Sequence, residues 1–243
     1  MPEGPSIVIL KEEVQPFVGQ RIISVSGNSK IGIERIQNQT VIAFKTWGKN
    51  FLICFVDFTI KIHLLMFGTY RINERKDSPP RLSLTFENGE LNFYTCSVKF
   101  LEGDLNQHYD WTEDVMNENW NPKSAKKKLK NMPDRMICDA LLEQNIFSGV
   151  GNIIKNEVLF RVHVHPESLI DKIPARKINE IIKEAVVYSF QFLEWKKKYE
   201  LKKHWLAHTK KTCPRCDLPF TKKHTGLKRR RSFFCTNCQK LYE

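Results

Sequence analysis

Apolar and polar positions follow different patterns in the two halves of the chain. Residues 5–17 carry apolar side chains at helical spacing, with Pro5 in the first turn, and predict a short helix. From about residue 20 to residue 105, short β-branched and aromatic runs alternate with turn signals such as Asn88-Gly89. Many short strands at this spacing predict a β-sandwich or a barrel.

Helical patterns dominate after residue 122. Apolar residues at helical spacing predict helices at residues 124–132, 134–146, 152–162 and 175–199. Residues 106–122 are polar and acidic without a clear period, and we interpret them as a linker. The pattern is that of an α+β multidomain protein.

The charge of the chain is uneven. The 243 residues have a net charge of +12. Residues 1–120 hold 12 basic and 15 acidic residues, and residues 121–243 hold 27 basic and 12 acidic residues. A basic surface of this kind is typical of nucleic-acid binding, although a solvated basic tail, a membrane surface or an acidic protein partner would suit the same charge.

Four of the seven cysteines lie close together near the end of the chain. They form the pattern C-x2-C-x18-C-x2-C, with Cys213, Cys216, Cys235 and Cys238. Two such pairs predict one tetrahedral, structural Zn²⁺ site, whereas the alternative is two dithiol pairs or disulfides. The other three cysteines are scattered, which favours a reducing, intracellular compartment. No secretory signal and no apolar run long enough to span a bilayer is visible.

The segment between the two cysteine pairs predicts a β-hairpin that turns near residues 224–227. Its return arm carries Lys228, Arg229, Arg230 and Arg231. Guanidinium groups suit bidentate phosphate contacts, although a solvated basic run would have the same sequence.

Residues 141–160 predict a helix, a glycine-containing turn and a second helix. Gly149 and Gly151 permit unusual backbone conformations, and we expect Asn152 to cap the second helix. The unpaired N–H groups at such a helix start suit a phosphate, but most glycine turns between helices are only turns.

The chain starts MPEGPS, has GVGN between two predicted helices and ends in a four-cysteine hairpin with arginines. In this order, the motifs resemble the Fpg/Nei family of DNA glycosylases (formamidopyrimidine-DNA glycosylase and endonuclease VIII). The resemblance implies an N-terminal β-sandwich domain, a helix–two-turns–helix domain and a zinc-finger hairpin. We place these domains at residues 1–115, 116–211 and 212–243.

The same resemblance implies the catalytic residues. Pro2, once Met1 is removed, matches the amine that displaces a damaged base and forms a Schiff base with the opened sugar. An α-amino group has a pKa of about 8, against about 10.4 for a lysine, so more of it is neutral at working pH. Glu3 matches the family's proton shuttle, Lys49 a lysine near the damaged nucleotide, and Arg230 a phosphate clamp. The expected activity is a DNA glycosylase/AP lyase that ends in β,δ-elimination.

Further DNA-binding residues follow from the family motifs. Asn152 matches a phosphate ligand, and Arg231 competes with Arg230 because a one-residue slip exchanges their faces. Met66 is the best candidate for a wedge that fills the space left by an extruded base, with Leu65 and Phe67 near enough to share that role. Glu157 matches a family acid that we interpret as structural, bonding to backbone near the N-terminal turn.

The chain departs from the family pattern at three places. Ser6 replaces the second acid of the usual MPEGPE start, which puts the efficiency of turnover in doubt. Residues 94–104 lack an Arg-Phe-Gly stretch, and only residues 197–212 separate the last long helix from the cysteines. The last two features favour an endonuclease VIII-like enzyme that acts on oxidised pyrimidines, hydantoins or abasic sites.

Two other functions remain open from the sequence. One is a catalytically weak or inactive DNA- or RNA-binding zinc protein on the same scaffold, and the other is a zinc-ribbon RNA-binding module. The expected partner is damaged DNA, either double-stranded or in single-stranded or bubble form. We expect the protein to act as a monomer and not to bind membranes. The sequence leaves open the preferred lesion and the base opposite it. It also leaves open which of the two arginines makes the key phosphate contact.

Overall fold

The computed structural model describes residues 2–243. It divides into two compact units, one ending at Asp110 and one running from Trp111 to Glu243. The boundary falls within residues 106–122, the predicted linker, which contain short 3-10 turns. The finer division at residues 115 and 211 stays a prediction.

Within residues 2–110, the first unit contains one α-helix, eight strands and three short 3-10 turns. Helix α1 spans Gly4–Glu13, and the strands are β1 (Ser24–Ser26), β2 (Ala43–Trp47), β3 (Asn50–Cys54), β4 (Phe58–His63), β5 (Thr69–Ile72), β6 (Leu82–Phe86), β7 (Gly89–Tyr94) and β8 (Ser97–Glu102). They form two antiparallel four-stranded sheets, in the orders β1-β6-β7-β5 and β2-β3-β4-β8. The predicted β-sandwich is confirmed.

One apolar core joins α1 and both sheets of this unit. Phe51 of β3 and Phe93 of β7 are both fully buried, and their ring centroids lie 5.9 Å apart. The first helix is shorter than predicted from residues 5–17. It ends at Glu13, and Gln15–Phe17 form a 3-10 turn, because Pro16 has no N–H to continue the α-helical bonding.

The second unit contains the helices α2 (Pro122–Lys130), α3 (Ile137–Ala140), α4 (Asn152–Arg161) and α5 (Ala175–Lys197). The start of α2 differs from the prediction: Asn121 caps it by accepting hydrogen bonds from the backbone of Lys123 and Ser124. The helix predicted at residues 134–146 is also wrong in length. Only α3 is α-helical there, and hydrogen-bonded turns follow it up to Val150.

The end of the second unit is a two-stranded hairpin of β9 (Thr221–Thr225) and β10 (Arg230–Phe234). The turn lies at residues 226–229, two residues later than predicted. Gly226 has φ +67°, and a Cβ there would overlap the Asp139 carboxylate oxygens. The turn therefore requires glycine both for its conformation and for space.

Between residues 2 and 243, none of the helices combines the length and the apolar character needed to cross a bilayer.

Candidate functional site

The N-terminal residues are packed rather than frayed. Glu3 has an extended backbone, and its carbonyl accepts a hydrogen bond of 2.8 Å from the Ser6 N–H, which starts α1. Its side chain is fully buried, as are Gly4 and Pro5, whereas Pro2 is half-buried. Met1 lies outside the described residues, so its removal stays a prediction.

Lys49 lies in the two-residue turn between β2 and β3. The turn needs φ +55° at Gly48, and it pairs Trp47 with Asn50. Asn50 in turn pairs with His63, the last residue of β4. This register brings the half-buried Lys49 to the end of the sheet at which β4 ends.

The residues predicted as a wedge form a tight loop directly after β4, which we call the apical loop (residues 64–68). Leu64 is buried at its base, while Leu65, Met66 and Phe67 are 47%, 50% and 78% exposed. The Gly68 N–H donates to the Leu64 carbonyl at 2.7 Å and closes the loop.

His63 orders the start of the apical loop. Leu65 has φ +51°, and its N–H donates to Nδ1 of His63 at 3.0 Å. Burial, followed by the charges of Lys49 and Lys61, lowers the pKa of His63. The imidazole is therefore kept neutral and able to accept this hydrogen bond.

The four predicted cysteines converge. Their sulfur atoms all lie within 4.8 Å of one another, and Sγ of Cys213 is 3.8 Å from Sγ of Cys238. A tetrahedral site with Zn–S bonds of about 2.3 Å places its sulfur atoms about 3.8 Å apart. Asn237 Nδ2 donates to Sγ of Cys216 at 3.2 Å. A set of four thiolates in this arrangement fits a structural metal ion, and Zn²⁺ is the ion that such a set favours.

The two arginines proposed as phosphate clamps lie on opposite faces of the hairpin. Arg230 pairs with Thr225 and lies on the same face of the hairpin as Ser232. Thr225 and Ser232 are both buried, and their hydroxyl oxygens lie 2.6 Å apart. Arg231 pairs with His224 on the other face. Arg230 is half-buried and Arg231 is exposed.

Asn152 is the first residue of α4, and the expectation that it caps this helix is wrong. Gly151 is the N-cap residue, and among residues 2–243 no side-chain hydrogen bond caps the helix start. Nδ2 of Asn152 instead donates to the Arg231 carbonyl at 3.0 Å. Its buried Oδ1 has no hydrogen-bond partner among the described residues. The amide can thus link α4 to β10, and its role as a phosphate ligand stays a prediction.

Glu157 bonds to backbone, as we expected of a structural acid. Its fully buried carboxylate accepts hydrogen bonds from the backbone N–H groups of Leu206, Ala207 and His208, at 2.7–3.1 Å. These donors belong to the segment between α5 and the first cysteine pair, not to the N-terminal turn. Glu157 therefore ties that segment to α4.

No motif in the sequence points to three further side chains around this helix, Lys155, Asn156 and His208. Lys155 and Asn156 both bond to β10, and Asn156 Nδ2 also lies 3.2 Å from Nδ1 of His208. Burial and the neighbouring Lys155 charge lower the pKa of His208 to about 4. These residues come together because α4 packs against β10 and because Glu157 holds the backbone of His208 to α4.

The first unit thus brings together Lys49 and the apical loop, and the second brings together Asn152, the arginine strand and the cysteine cluster. A β-sandwich with a proline–glutamate start, joined in one chain to a helix–turn–helix segment and a four-cysteine hairpin, defines the class of zinc-finger DNA glycosylases.

Family models agree with this class. The N-terminal domain of formamidopyrimidine-DNA glycosylase matches residues 1–101, and the H2TH domain of the same enzymes matches residues 112–191. The chain belongs to the Fpg/Nei family, as its motifs predicted.

Individual relatives are distant. Mouse endonuclease 8-like 3 is 28% identical over 205 residues, which cover 81% of this chain and 34% of that protein. The chain therefore spans about a third of the length of the endonuclease 8-like 3 proteins it matches. Formamidopyrimidine-DNA glycosylase of Lactobacillus helveticus is 27% identical over the full length of both chains.

Solved structures support the same fold. Lactococcus lactis formamidopyrimidine-DNA glycosylase, bound non-covalently to DNA with an AP site, superposes with a TM-score of 0.86 at 22% identity, over 98% of this chain and 99% of that one. A viral DNA glycosylase superposes with a TM-score of 0.84 at 20% identity, over 98% and 100%.

Proposed function

We propose that this protein is a bifunctional DNA glycosylase/AP lyase of base-excision repair, which removes oxidised bases by forming a Schiff base at Pro2. The observation that carries the proposal is the packed N-terminus, with Pro2 followed by a fully buried Glu3 at the start of α1. A helix start that holds both groups in one geometry reduces the entropy lost on reaching the transition state. Family membership supports the reaction class.

The nitrogen of Pro2 supplies the electron pair for the first step. It attacks C1′ of the damaged nucleotide, and the N-glycosidic bond breaks as the base leaves with its electron pair and a proton. Opening of the sugar ring then gives an iminium ion at C1′. Loss of the C2′ proton expels the 3′ phosphate, a second elimination expels the 5′ phosphate, and water releases the remaining sugar fragment from the amine.

Glu3 is the proposed proton shuttle. In the ring-opening step, O4′ of the sugar gains a proton while the C1′–O4′ bond breaks, and a carboxyl group next to the nucleophile can supply it. The same carboxylate can then accept a proton during elimination. A buried position keeps bulk water away from this exchange.

The other predicted residues would bind the DNA. Lys49 would contact the nucleotide near its phosphate, while Met66, with Leu65 and Phe67, would fill the space in the duplex. Their exposure supports this role, because large apolar side chains in a row are normally buried. Asn152, Arg230 and Arg231 would contact phosphates, and a Zn²⁺ held by the four cysteines would stabilise the hairpin that carries both arginines.

The proposed substrates are oxidised pyrimidines, hydantoins and abasic sites in DNA, bound by a monomer inside the cell. The short segment between α5 and the cysteines supports this preference over oxidised purines. A panel of duplex, bubble and single-stranded oligonucleotides, each with one lesion, would rank the substrates. Preference for an oxidised purine would contradict the proposed branch without contradicting the lyase chemistry.

Borohydride trapping tests the chemistry directly. The mature protein is incubated with a duplex that contains one abasic site, and reduction of the Schiff base gives a stable protein–DNA adduct. We expect strong trapping by the wild type, little by Pro2→Gly, and none by a chain whose N-terminus is extended by an uncleaved tag, since the tag converts the proline amine to an amide.

Pro16→Gly is the matched control, because Pro16 is an exposed proline in the same N-terminal segment. It should trap as well as the wild type. Failure of the wild-type protein to form an adduct would favour a DNA- or RNA-binding protein that has lost its chemistry. Trapping at the wild-type level by both the Pro2→Gly variant and the extended chain would assign the amine elsewhere.

A further inference from the structure

Three side chains of α4 converge on one backbone carbonyl of the hairpin. Asn152 Nδ2, Asn156 Nδ2 and Lys155 Nζ lie 3.0, 3.3 and 3.4 Å from the Arg231 oxygen. In the other direction, the Phe233 N–H donates to Oδ1 of Asn156 at 3.2 Å. The first turns of α4 therefore bind the main chain of β10, and these bonds do not involve the side chains of that strand.

These bonds lie where a third strand would pair. A two-stranded hairpin leaves the outer edge of each strand without a partner, and the backbone groups of alternate residues face that edge. The Arg231 carbonyl and the Phe233 N–H are two residues apart and are used by α4. Side-chain amides of one helix thus substitute for a neighbouring strand.

Lys155 is the unusual member of this set. It is fully buried, and its ammonium lies 2.8 Å from the Ser232 hydroxyl, which lies 2.6 Å from that of Thr225. A buried ammonium is costly unless acceptors surround it, so its position depends on the position of β10. Because Arg230 shares the face of Ser232, this contact fixes the strand next to the arginine.

The hairpin turn is held from a second helix. The carboxylate of the buried Asp139, in α3, accepts hydrogen bonds from the N–H groups of Leu227 and Lys228 at 2.7 and 3.1 Å. The hairpin is thereby held at its turn by α3 and along its outer edge by α4, in addition to the four cysteines beyond its strands.

We propose that Lys155 is a positioning residue for DNA binding: with Asn152 and Asn156 it fixes the backbone of β10 so that Arg230 and Arg231 meet their phosphates. This inference rests on the proposed function, because it assumes that the two arginines contact DNA. Lys155 itself does not contact the substrate. Its effect is transmitted through the position of the strand.

The test compares Lys155→Met, which keeps the length and removes the charge, with Ser232→Ala and with the double variant. Lys183→Met, on the exposed surface of α5, is the control for loss of one positive charge. Four properties are measured in each protein: zinc content, melting temperature, hydrogen exchange of residues 221–234, and affinity for a duplex with one tetrahydrofuran abasic-site analogue over a range of salt.

We expect Lys155→Met to retain zinc, to exchange faster in the hairpin and to bind the duplex about tenfold more weakly, with the slope of log K against log salt reduced by about 0.9 for each lost phosphate contact. Ser232→Ala should act in the same direction, and the double variant should be little worse than Lys155→Met, because both changes remove one contact. The control should exchange like the wild type.

Unchanged hairpin exchange and an unchanged salt slope in both single variants would overturn the inference. A lower melting temperature without a change in either property would also overturn it, since Lys155 would then be only structural. Failure of the wild-type protein to bind the duplex would instead contradict the proposed function, and hydrogen exchange would still decide whether Lys155 holds the strand.

Discussion

The apical loop and the arginine hairpin both present side chains proposed to contact DNA, but contacts of very different range hold them. The apical loop is closed by bonds between residues two and four positions apart, Leu65 to His63 and Gly68 to Leu64. The hairpin is held by bonds between residues 75 to 89 positions apart, from α3 and α4 to residues 227–233.

This difference separates the two regions energetically. A loop closed by its own neighbours keeps its shape as long as the strands on either side persist. A hairpin held by two helices and flanked by a cysteine cluster that can hold a metal ion depends on the folding of the whole second unit, so distant changes can alter its position. We therefore expect substitutions elsewhere in the second unit to alter the hairpin, and substitutions in the apical loop to alter that loop alone.

The largest effect should follow from loss of the metal site. Cys235→Ser removes one of the four thiolates, and structural zinc sites contribute about 10–16 kcal/mol of binding free energy in small zinc domains. We expect loss of zinc, a disordered hairpin and a fall in DNA affinity of about a hundredfold or more. Metal analysis and DNA titration measure this.

The first unit should keep its fold in Cys235→Ser, because the four clustered cysteines belong to the second unit. Hydrogen exchange of β2–β4 in the variant provides the control. Zinc-free protein that binds and cleaves DNA normally would contradict the role given to the hairpin.

Asp139→Ala should be the next largest change. It leaves the N–H groups of Leu227 and Lys228 without their acceptor, which costs about 1–3 kcal/mol for each donor that stays buried. We expect weaker DNA binding with zinc retained, and partial recovery in Asp139→Asn, which keeps one acceptor oxygen. Wild-type affinity in Asp139→Ala would show that the hairpin turn needs no support from α3.

Gly68→Ala tests the apical loop. A Cβ at this position would overlap the Leu64 carbonyl oxygen, so the loop has to shift. Overpacking of this kind costs about 1–3 kcal/mol. We expect slower excision from duplex DNA, with an unchanged salt slope, because the phosphate contacts of the hairpin are unaffected.

Gly103→Ala is a suitable control in the same unit, since its Cβ meets only the Gln107 side chain at 3.5 Å. Its positive φ of +72° makes alanine unfavourable there, so this variant also destabilises the unit, but away from the apical loop. It should excise at the wild-type rate. A change in the salt slope or in hairpin exchange in Gly68→Ala would refute the separation of the two regions.

The smallest effect should be a dependence of stability on pH. The pKa of His208 is about 4 in the folded protein, below the unfolded value of about 6.5, so its neutral form stabilises the fold. That contribution is complete above about pH 6.5 and is lost as the pH falls toward 4.

Thermal unfolding at pH 7, 6, 5 and 4 measures this loss. We expect His208→Gln to reduce the dependence of the melting temperature on pH in the acid range. Part of that dependence should remain, because burial also lowers the pKa values of His165 and His63. Parallel curves for the variant and the wild type would contradict the role of His208.

The same difference in range explains what the sequence could predict. The strands of the first unit and the cysteine cluster follow from local patterns of a few residues, whereas the apical residues are predicted from the family resemblance. The bonds of Asn152 to Arg231 and of Glu157 to residues 206–208 follow from neither, because they join segments that no motif links. Asn152 looked like a cap because asparagine often begins a helix, yet its amide is used by the strand that tertiary packing brings to it.

The central claim, that the amine of Pro2 forms the covalent intermediate, is tested most directly by locating the trapped adduct. The borohydride-reduced complex with abasic DNA is digested with trypsin and nuclease, and the modified peptide is identified by mass spectrometry. We predict that the sugar remnant lies on the peptide of residues 2–11, at the N-terminal nitrogen. A remnant on a peptide that contains Lys49, or the absence of any modified peptide, would contradict the account.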